Sequence, residues 1–182
     1  KDQGNVLLNG AGADELFAGY NRHKAFQFYL NNKSKPWFTL AKWGKKARAS
    51  GKGLNHWRKF ASAIDEKPYQ TFMNMVTFDQ FNNYQTTGID WPEHEALDRA
   101  LAHDQANYLV GDVLALTDSS GMANGVEIRV PYLDKVVVNW ARAKNAAQHL
   151  ANGRKTYLNE LLTELGGSTF VKRKKLGFGL PT

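Results

Sequence analysis

The apolar run Val6-Leu7-Leu8 gives way to Gly10-Ala11-Gly12, then to the acids Asp14 and Glu15, then to apolar residues at helical steps. That order predicts a buried strand, a turn stripped of side chains, and a helix over about 13–30 with an acidic first turn. Leu16, Phe17, Tyr20 and Lys24 fall at its helical steps. Further helices are predicted near 37–48, 54–64 and 69–76, where Phe72, Met73, Met75 and Phe78 form an apolar stripe suited to a core. The polar stretch 82–88 reads as a loop, and Trp91-Pro92 precedes a new helix start. Residues 93–117 are then largely helical, with Leu97, Leu101, Tyr108, Leu109, Val113 and Leu116 as core candidates. The stretch 118–125 is small and flexible by composition, with Asp118 a cap or turn residue. Pro131-Tyr132-Leu133-Asp134 punctuates the chain, Asp134 capping a helix over 135–143. A last helix, about 154–165, is stopped by Gly166-Gly167. By pattern alone the chain is mainly α after one strand, with no internal repeat and no low-complexity tract.

Composition narrows this little. At 182 residues, 42% apolar and 12% aromatic, the chain can bury a core as one large domain, or one with a small companion. No run approaches the roughly 18 apolar residues of a membrane span, and no signal-peptide pattern is present. The chain starts with Lys1 and almost at once with a strand, so a piece of a longer protein is expected. Without cysteine it has neither a disulfide frame nor a thiolate nucleophile, which fits a reducing, cytoplasmic location.

Charge is more informative than its total of +7. Lys33, Lys35, Lys42, Lys45, Lys46, Arg48, Lys52, Arg58 and Lys59 interleave with Trp37, Trp43 and Trp57. Such a pattern could bind nucleic acid. The helical spacing of Trp37, Leu40, Ala41, Gly44 and Ala47 instead favours amphipathic helices with a wet basic face. A second cluster, Lys172-Arg173-Lys174-Lys175, adjoins Gly177, Phe178 and Gly179. It suits a loop closing over phosphate, or a frayed basic tail.

Two segments carry chemistry. Glycines at the 10–12 turn let backbone N–H groups approach an anion. Carboxylates beside it would repel a bare phosphate, so they make chemical sense if a cation such as Mg2+ intervenes. The structural alternative is a tight turn whose acids merely suit the helix dipole. In the segment 122–134, Glu127 and Arg129 lie two apart on one side of an extended stretch, among Val126, Ile128 and Val130. Opposite charges in apolar surroundings imply a buried ion pair, or a carboxylate and guanidinium lining a polar substrate pocket.

Taken together, these motifs resemble the synthetase domain of class B, glutamine-dependent asparagine synthetases. The family pattern SGxGxDELFGGY is similar to residues 9–20. S-M-A-x-G-x-E-x-R-V-P-F-L-D is matched by 121–134 almost residue for residue, and R-x-K-x-G-F by Arg173, Lys175, Gly177 and Phe178. The stretches Tyr108-Leu109 and 112–114 add to the similarity, which covers most of the chain and thins over 32–95.

The resemblance implies an α/β, ATP-pyrophosphatase fold (adenine nucleotide alpha hydrolase-like) with a parallel sheet and helices on both faces. Residues 5–9 would contribute one sheet edge, with exposed apolar side chains where partner strands are missing. Residues 1–182 would form the C-terminal part of a synthetase-like domain, divisible near residue 90. The implied activity is amide formation: a carboxylate, aspartate's by preference, is adenylated with ATP and Mg2+, and ammonia from an upstream glutaminase domain attacks the adenylate. By the resemblance Asp14 binds Mg2+ near the pyrophosphate with Glu15 beside it. Gly10, Gly12, Arg173 and Lys175 complete the ATP and pyrophosphate contacts. Lys175 neutralises charge building on the phosphates, and Glu127 joins it on the catalytic side. Arg129 and Ala11 line the substrate pocket.

Departures from the pattern are specific. Ala11 stands where the resemblance implies a glutamate assisting ammonia's attack, and alanine cannot accept a proton. Leu116, Ser119 and Gly121 stand where lysine, arginine and serine are frequent. The ATP-gripping SGGxDS loop and the cysteine glutaminase lie outside these 182 residues, so this piece alone is expected to be inactive. Ala11 leaves open a related amide ligase or amidotransferase with another substrate, and the combined losses leave open a catalytically dead interaction domain.

Overall fold

The computed structural model describes residues 5–36 and 96–171. The helices expected over 37–76, the tryptophan-rich basic segment, the 82–88 loop and the 172–179 basic cluster lie outside the described residues, except that Lys33 and Lys35 are exposed on the surface.

The first strand, β1 (Val6–Leu8), forms as its apolar run predicts, but it has a partner that the periodicity did not supply. β2 (Glu127–Arg129) pairs with it in parallel, Val6 opposite Glu127 and Leu8 opposite Arg129. The ladder runs past both ends: Glu127 N–H donates to the Asn5 carbonyl at 2.6 Å, and Asn9 N–H to the Arg129 carbonyl at 2.8 Å. The expectation of a single strand is thus corrected to a two-stranded parallel sheet among the described residues. A parallel pair needs a long crossover, so its partner cannot be read from neighbouring sequence. The expectation that this strand is buried is corrected: all three β1 side chains are exposed, Leu8 by 70%, because the described residues place no element over them, as on an apolar sheet edge.

The long helix expected over 13–30 is broken. α1 (Ala13–Leu16) stops after one turn, and α2 (Asn21–Asn32) starts afresh. Between them Ala18 adopts φ 53 and Tyr20 is extended. The Phe17 carbonyl, which a continuing helix would have used, accepts instead from Lys155 N–H at 3.2 Å. Gly19 passes so close to the Asp14 and Lys155 side chains that a Cβ would displace them.

The next helix runs without interruption through α3 (Ala96–His103), a π-helical stretch Asp104–Leu114, and α4 (Ala115–Ala123). Leu97, Leu101 and Leu109 are buried as expected. Leu116 is 66% exposed, contrary to its assignment to the core. The i→i+5 bonding of the π-helical stretch shifts the phase of the apolar face, so a 3.6-residue count carried across it fails. The stretch taken as flexible, 118–125, is helical to Ala123, and Asp118 is an exposed helix residue, not a cap. Its small residues serve packing: a Cβ on Gly121 would lie 2.7 Å from the Val126 carbonyl and 2.9 Å from Ile128 Cδ1. α4 therefore lies directly on β2.

After β2, Pro131–Leu133 forms a 3-10 turn, and Asp134 Oδ1 accepts from Val136 N–H at 2.8 Å to cap α5 (Lys135–Arg142), as predicted. α6 (Ala146–His149) was not anticipated; Asn145 and Gln148 form a reciprocal capping box around it. α7 (Thr156–Glu164) ends at Gly166 as expected, and α8 (Ser168–Val171) follows.

Two apolar clusters hold these elements. One joins Ala18, Phe26, Leu97, Ala100, Leu101, Ala146 and Leu150; the other sets Leu16, Phe17 and Ala141 against Tyr132, Leu133, Val138 and Leu158. His149 closes the second, edge-on to Phe17 and Tyr157, with Nε2 3.0 Å from the Ala141 carbonyl. Burial lowers its pKa from the ordinary 6.5, because the charged ring cannot be solvated there. A folded-state pKa below the unfolded one means that the unfolded chain binds more protons as pH falls through 6.5. Stability from this group is therefore present above that pH and lost below it. His149→Gln should flatten the decline in the urea-unfolding midpoint between pH 7.5 and 5.5, measured by circular dichroism.

Candidate functional site

The C-terminal ends of two parallel strands lie side by side, the position where open α/β sheets place ligands. From β1 the chain enters the 9–12 turn, and from β2 the 3-10 turn at 131–133. Asn9 organises the first: its Oδ1 accepts from Ala11 N–H at 2.9 Å, a side chain closing its own turn. Gly12 has φ 88, a left-handed conformation open to glycine at little cost, and the atom a Cβ would add falls 2.4 Å from Leu133 Cδ2. At Gly10 the nearest neighbour, Tyr132, is 3.9 Å away. The glycines thus differ in purpose. Gly12 lets the two turns touch, and Gly10 keeps the backbone accessible.

Asp14 stands on α1 just past this turn, and its Oδ1 pairs with Lys155 Nζ at 3.0 Å, both side chains about a quarter exposed. Glu15, expected beside it at the pyrophosphate, is turned the other way. It is buried, and it accepts a 2.5 Å hydrogen bond from the Tyr20 hydroxyl. Burial, then that bond and the charge of Glu15, push the Tyr20 pKa far above its ordinary 10, so this hydroxyl remains a donor. Glu15 and Tyr20 hold the end of the motif in place.

A buried ion cluster fixes the same segment from behind. Asp104 Oδ2 receives Arg22 Nη2 at 2.8 Å, Arg22 Nε at 3.0 Å and His23 Nε2 at 2.7 Å. Burial alone would raise the Asp104 pKa; the His23 hydrogen bond and the Arg22 charge overcome it and hold the carboxyl below its ordinary range. The Arg22 guanidinium also lies 3.9 Å from the Tyr20 ring centre and 4.6 Å from that of Tyr108. The π-helical stretch therefore ties the sequence motif to the core through Asp104 and Tyr108.

Glu127 and Arg129 do form an ion pair, Nε to Oε1 at 2.9 Å, but their side chains are 59% and 63% exposed. The expectation of a buried pair is corrected: β2 has β1 on one side and α4 against one face, and these charges lie clear of both. Gly10, Ala11, Gly12 and Asp14 are thus brought to one end of the strand pair, where Arg129 terminates β2. Arg173 and Lys175 lie outside the described residues. Among the described residues no three His, Cys, Asp or Glu side chains converge as a metal cage, and no helix is long and apolar enough to cross a membrane. Lys155 and Gly19 escaped the sequence reading of the site. A lysine in an unremarkable Gly-Arg-Lys run gave no sign of its left-handed backbone, φ 55, or of its reach to Asp14.

The Asparagine synthase family model matches residues 1–182. The chain belongs to the asparagine synthase family. Over 97% of its length it is 27% identical to "Asparagine synthetase [glutamine-hydrolyzing] 1" of Bacillus subtilis (strain 168). It is 26% identical, again over 97% of its length, to "Putative asparagine synthetase [glutamine-hydrolyzing]" of Mycobacterium tuberculosis (strain ATCC 25618 / H37Rv). In both cases it spans 30% of the relative's length. No solved structure matches the chain. Family membership agrees with the three motifs read from the sequence, and the strand pairing shows how the first two become one unit.

That unit rests on Gly12. Gly12→Ala should destabilise the fold by about 2–4 kcal/mol, from left-handed strain plus overpacking. Leu133→Ala in the same chain should recover the packing part only, a non-additivity that urea unfolding of the two single variants and the double variant will measure.

Proposed function

We propose that this chain is part of an ATP-dependent amide-forming enzyme in which a carboxylate is activated by adenylation and then captured by ammonia. A carboxylate oxygen attacks the α-phosphorus of ATP and releases pyrophosphate; ammonia attacks the acyl carbon and releases AMP. Aspartate is the first substrate to test, and glutamine hydrolysed elsewhere in the longer protein is the ammonia source, in keeping with the names of its relatives. The observation that carries this reading is the joining of the Gly10–Gly12 turn, Asp14 and the β2 end at one edge of a parallel sheet.

Each residue has a part in this reading. The accessible Gly10 backbone meets the pyrophosphate, and Lys175 with Arg173 offsets its charge. Glu127 and Arg129 face the acceptor side. The donor set fits Mg2+, which is commonly held by one or two carboxylates with substrate phosphates completing the shell. Asp14 supplies one hard oxygen donor, and a full protein cage is not required. When bound, Mg2+ would neutralise charge on the departing pyrophosphate. A cytoplasmic location accompanies this chemistry.

Ala11 favours a second reading within the same chemistry. A methyl group stands where a base would assist ammonia, so another nucleophile or another carboxylic acid could be served. An inactive interaction domain is the opposite extreme. ATP–pyrophosphate exchange on the intact protein separates the three. Exchange that depends on aspartate, and that drops about 100-fold or more in Asp14→Asn and Lys175→Met, is the expected result. Exchange only with another acid keeps the chemistry and changes the substrate; none with any acid supports the inactive domain.

A further inference from the structure

Lys155 occupies the Asp14 carboxylate in a way that surface ion pairs do not. Its backbone is pinned, N–H to the Phe17 carbonyl at 3.2 Å, in a left-handed conformation that a lysine adopts only when its surroundings enforce it. Arg154 beside it reaches the Gly19 carbonyl at 3.5 Å. The lysine stem runs over Gly19: a Cβ there would lie 2.3 Å from Lys155 Cε and 1.9 Å from Asp14 Oδ1. Gly19 is thus the floor on which the ammonium and carboxylate meet, and any larger residue would push them apart. The start of α7 and the break between α1 and α2 together build this contact.

We propose that Lys155 is an internal counter-ion for Asp14, holding the carboxylate in place and setting its affinity for a divalent cation by competing for the same oxygen. The proposal rests on the reading of Asp14 as a cation ligand and adds a residue outside the three motifs. Its physical basis is simple. An ammonium 3.0 Å from Asp14 Oδ1 already satisfies that oxygen, and a divalent ion arriving there meets a like charge. The lysine must swing away, and its long stem, lying over a residue that has no side chain to block it, permits that. Between visits it keeps the carboxylate oriented, at the expense of resting affinity for metal.

The test uses Mn2+ as the probe on the intact protein saturated with a non-hydrolysable ATP analogue, whose phosphates complete the shell, free ion being read by electron paramagnetic resonance. Lys155→Met is expected to bind Mn2+ about tenfold more tightly than wild type, Lys155→Arg within about twofold of it, and Asp14→Asn to lose the site. Unchanged or weaker binding in Lys155→Met, with Asp14→Asn still losing the site, overturns the counter-ion role alone. Binding that survives Asp14→Asn overturns the metal reading beneath it. A second measurement needs no variant. Acylation of lysines followed by mass spectrometry should show Lys155 severalfold more reactive once Mg2+ is added, relative to exposed Lys33 and Lys35. Equal reactivity with and without Mg2+ refutes the competition.

Discussion

The organisation of the site depends on one close approach: the left-handed Gly12 seated against Leu133. Everything upstream of it belongs to β1 and its turn, everything downstream to β2 and its turn. Parallel pairing aligns the two strands, but hydrogen bonds along a three-residue ladder would not by themselves fix how the turns meet. Leu133 does so by filling the space that a side chain at position 12 would take. The apolar cluster of Leu16, Phe17, Ala141 and Val138 lies on the same side, so the contact is part of a core and not an isolated touch.

From that contact outward the acids divide according to their surroundings. Asp14 and Glu15 are adjacent in sequence, yet one is partly exposed against a lysine and the other is sealed against a tyrosine. A one-residue step along a helix turns a side chain by roughly 100°, enough to send one acid to the site and the next into the interior. Only the outward one is partly exposed to solvent. The inward one, with the Asp104 cluster behind it, ties the segment to the core, and that anchoring positions the outward carboxylate. Polar burial here is spent on position.

Several elements were legible because their signals are local. Asp134 capped a helix, Gly166 ended one, and an apolar triplet became a strand; each depends on residues within a few positions. The misreadings share the opposite property. Helix 13–30 is interrupted at Ala18, φ 53, where the Phe17 carbonyl accepts from Lys155 of a distant segment. The small residues of 118–123 suggested looseness, whereas Gly121 is small because β2 lies against it. Leu116 counted as core until the π-helical stretch moved the apolar face around the axis.

Membership in the asparagine synthase family, the glycine turn, the acid pair and the Glu-x-Arg segment were all determined by sequence, because motifs state which residue types a site uses. Tertiary structure decided which of them meet, and which way they face. It set β1 beside β2 across an intervening chain, turned Glu15 inward, exposed the Glu127–Arg129 pair, and brought Lys155 to Asp14 over Gly19. Those outcomes follow from contacts between segments far apart in the chain, whose geometry no local pattern of polar and apolar residues encodes.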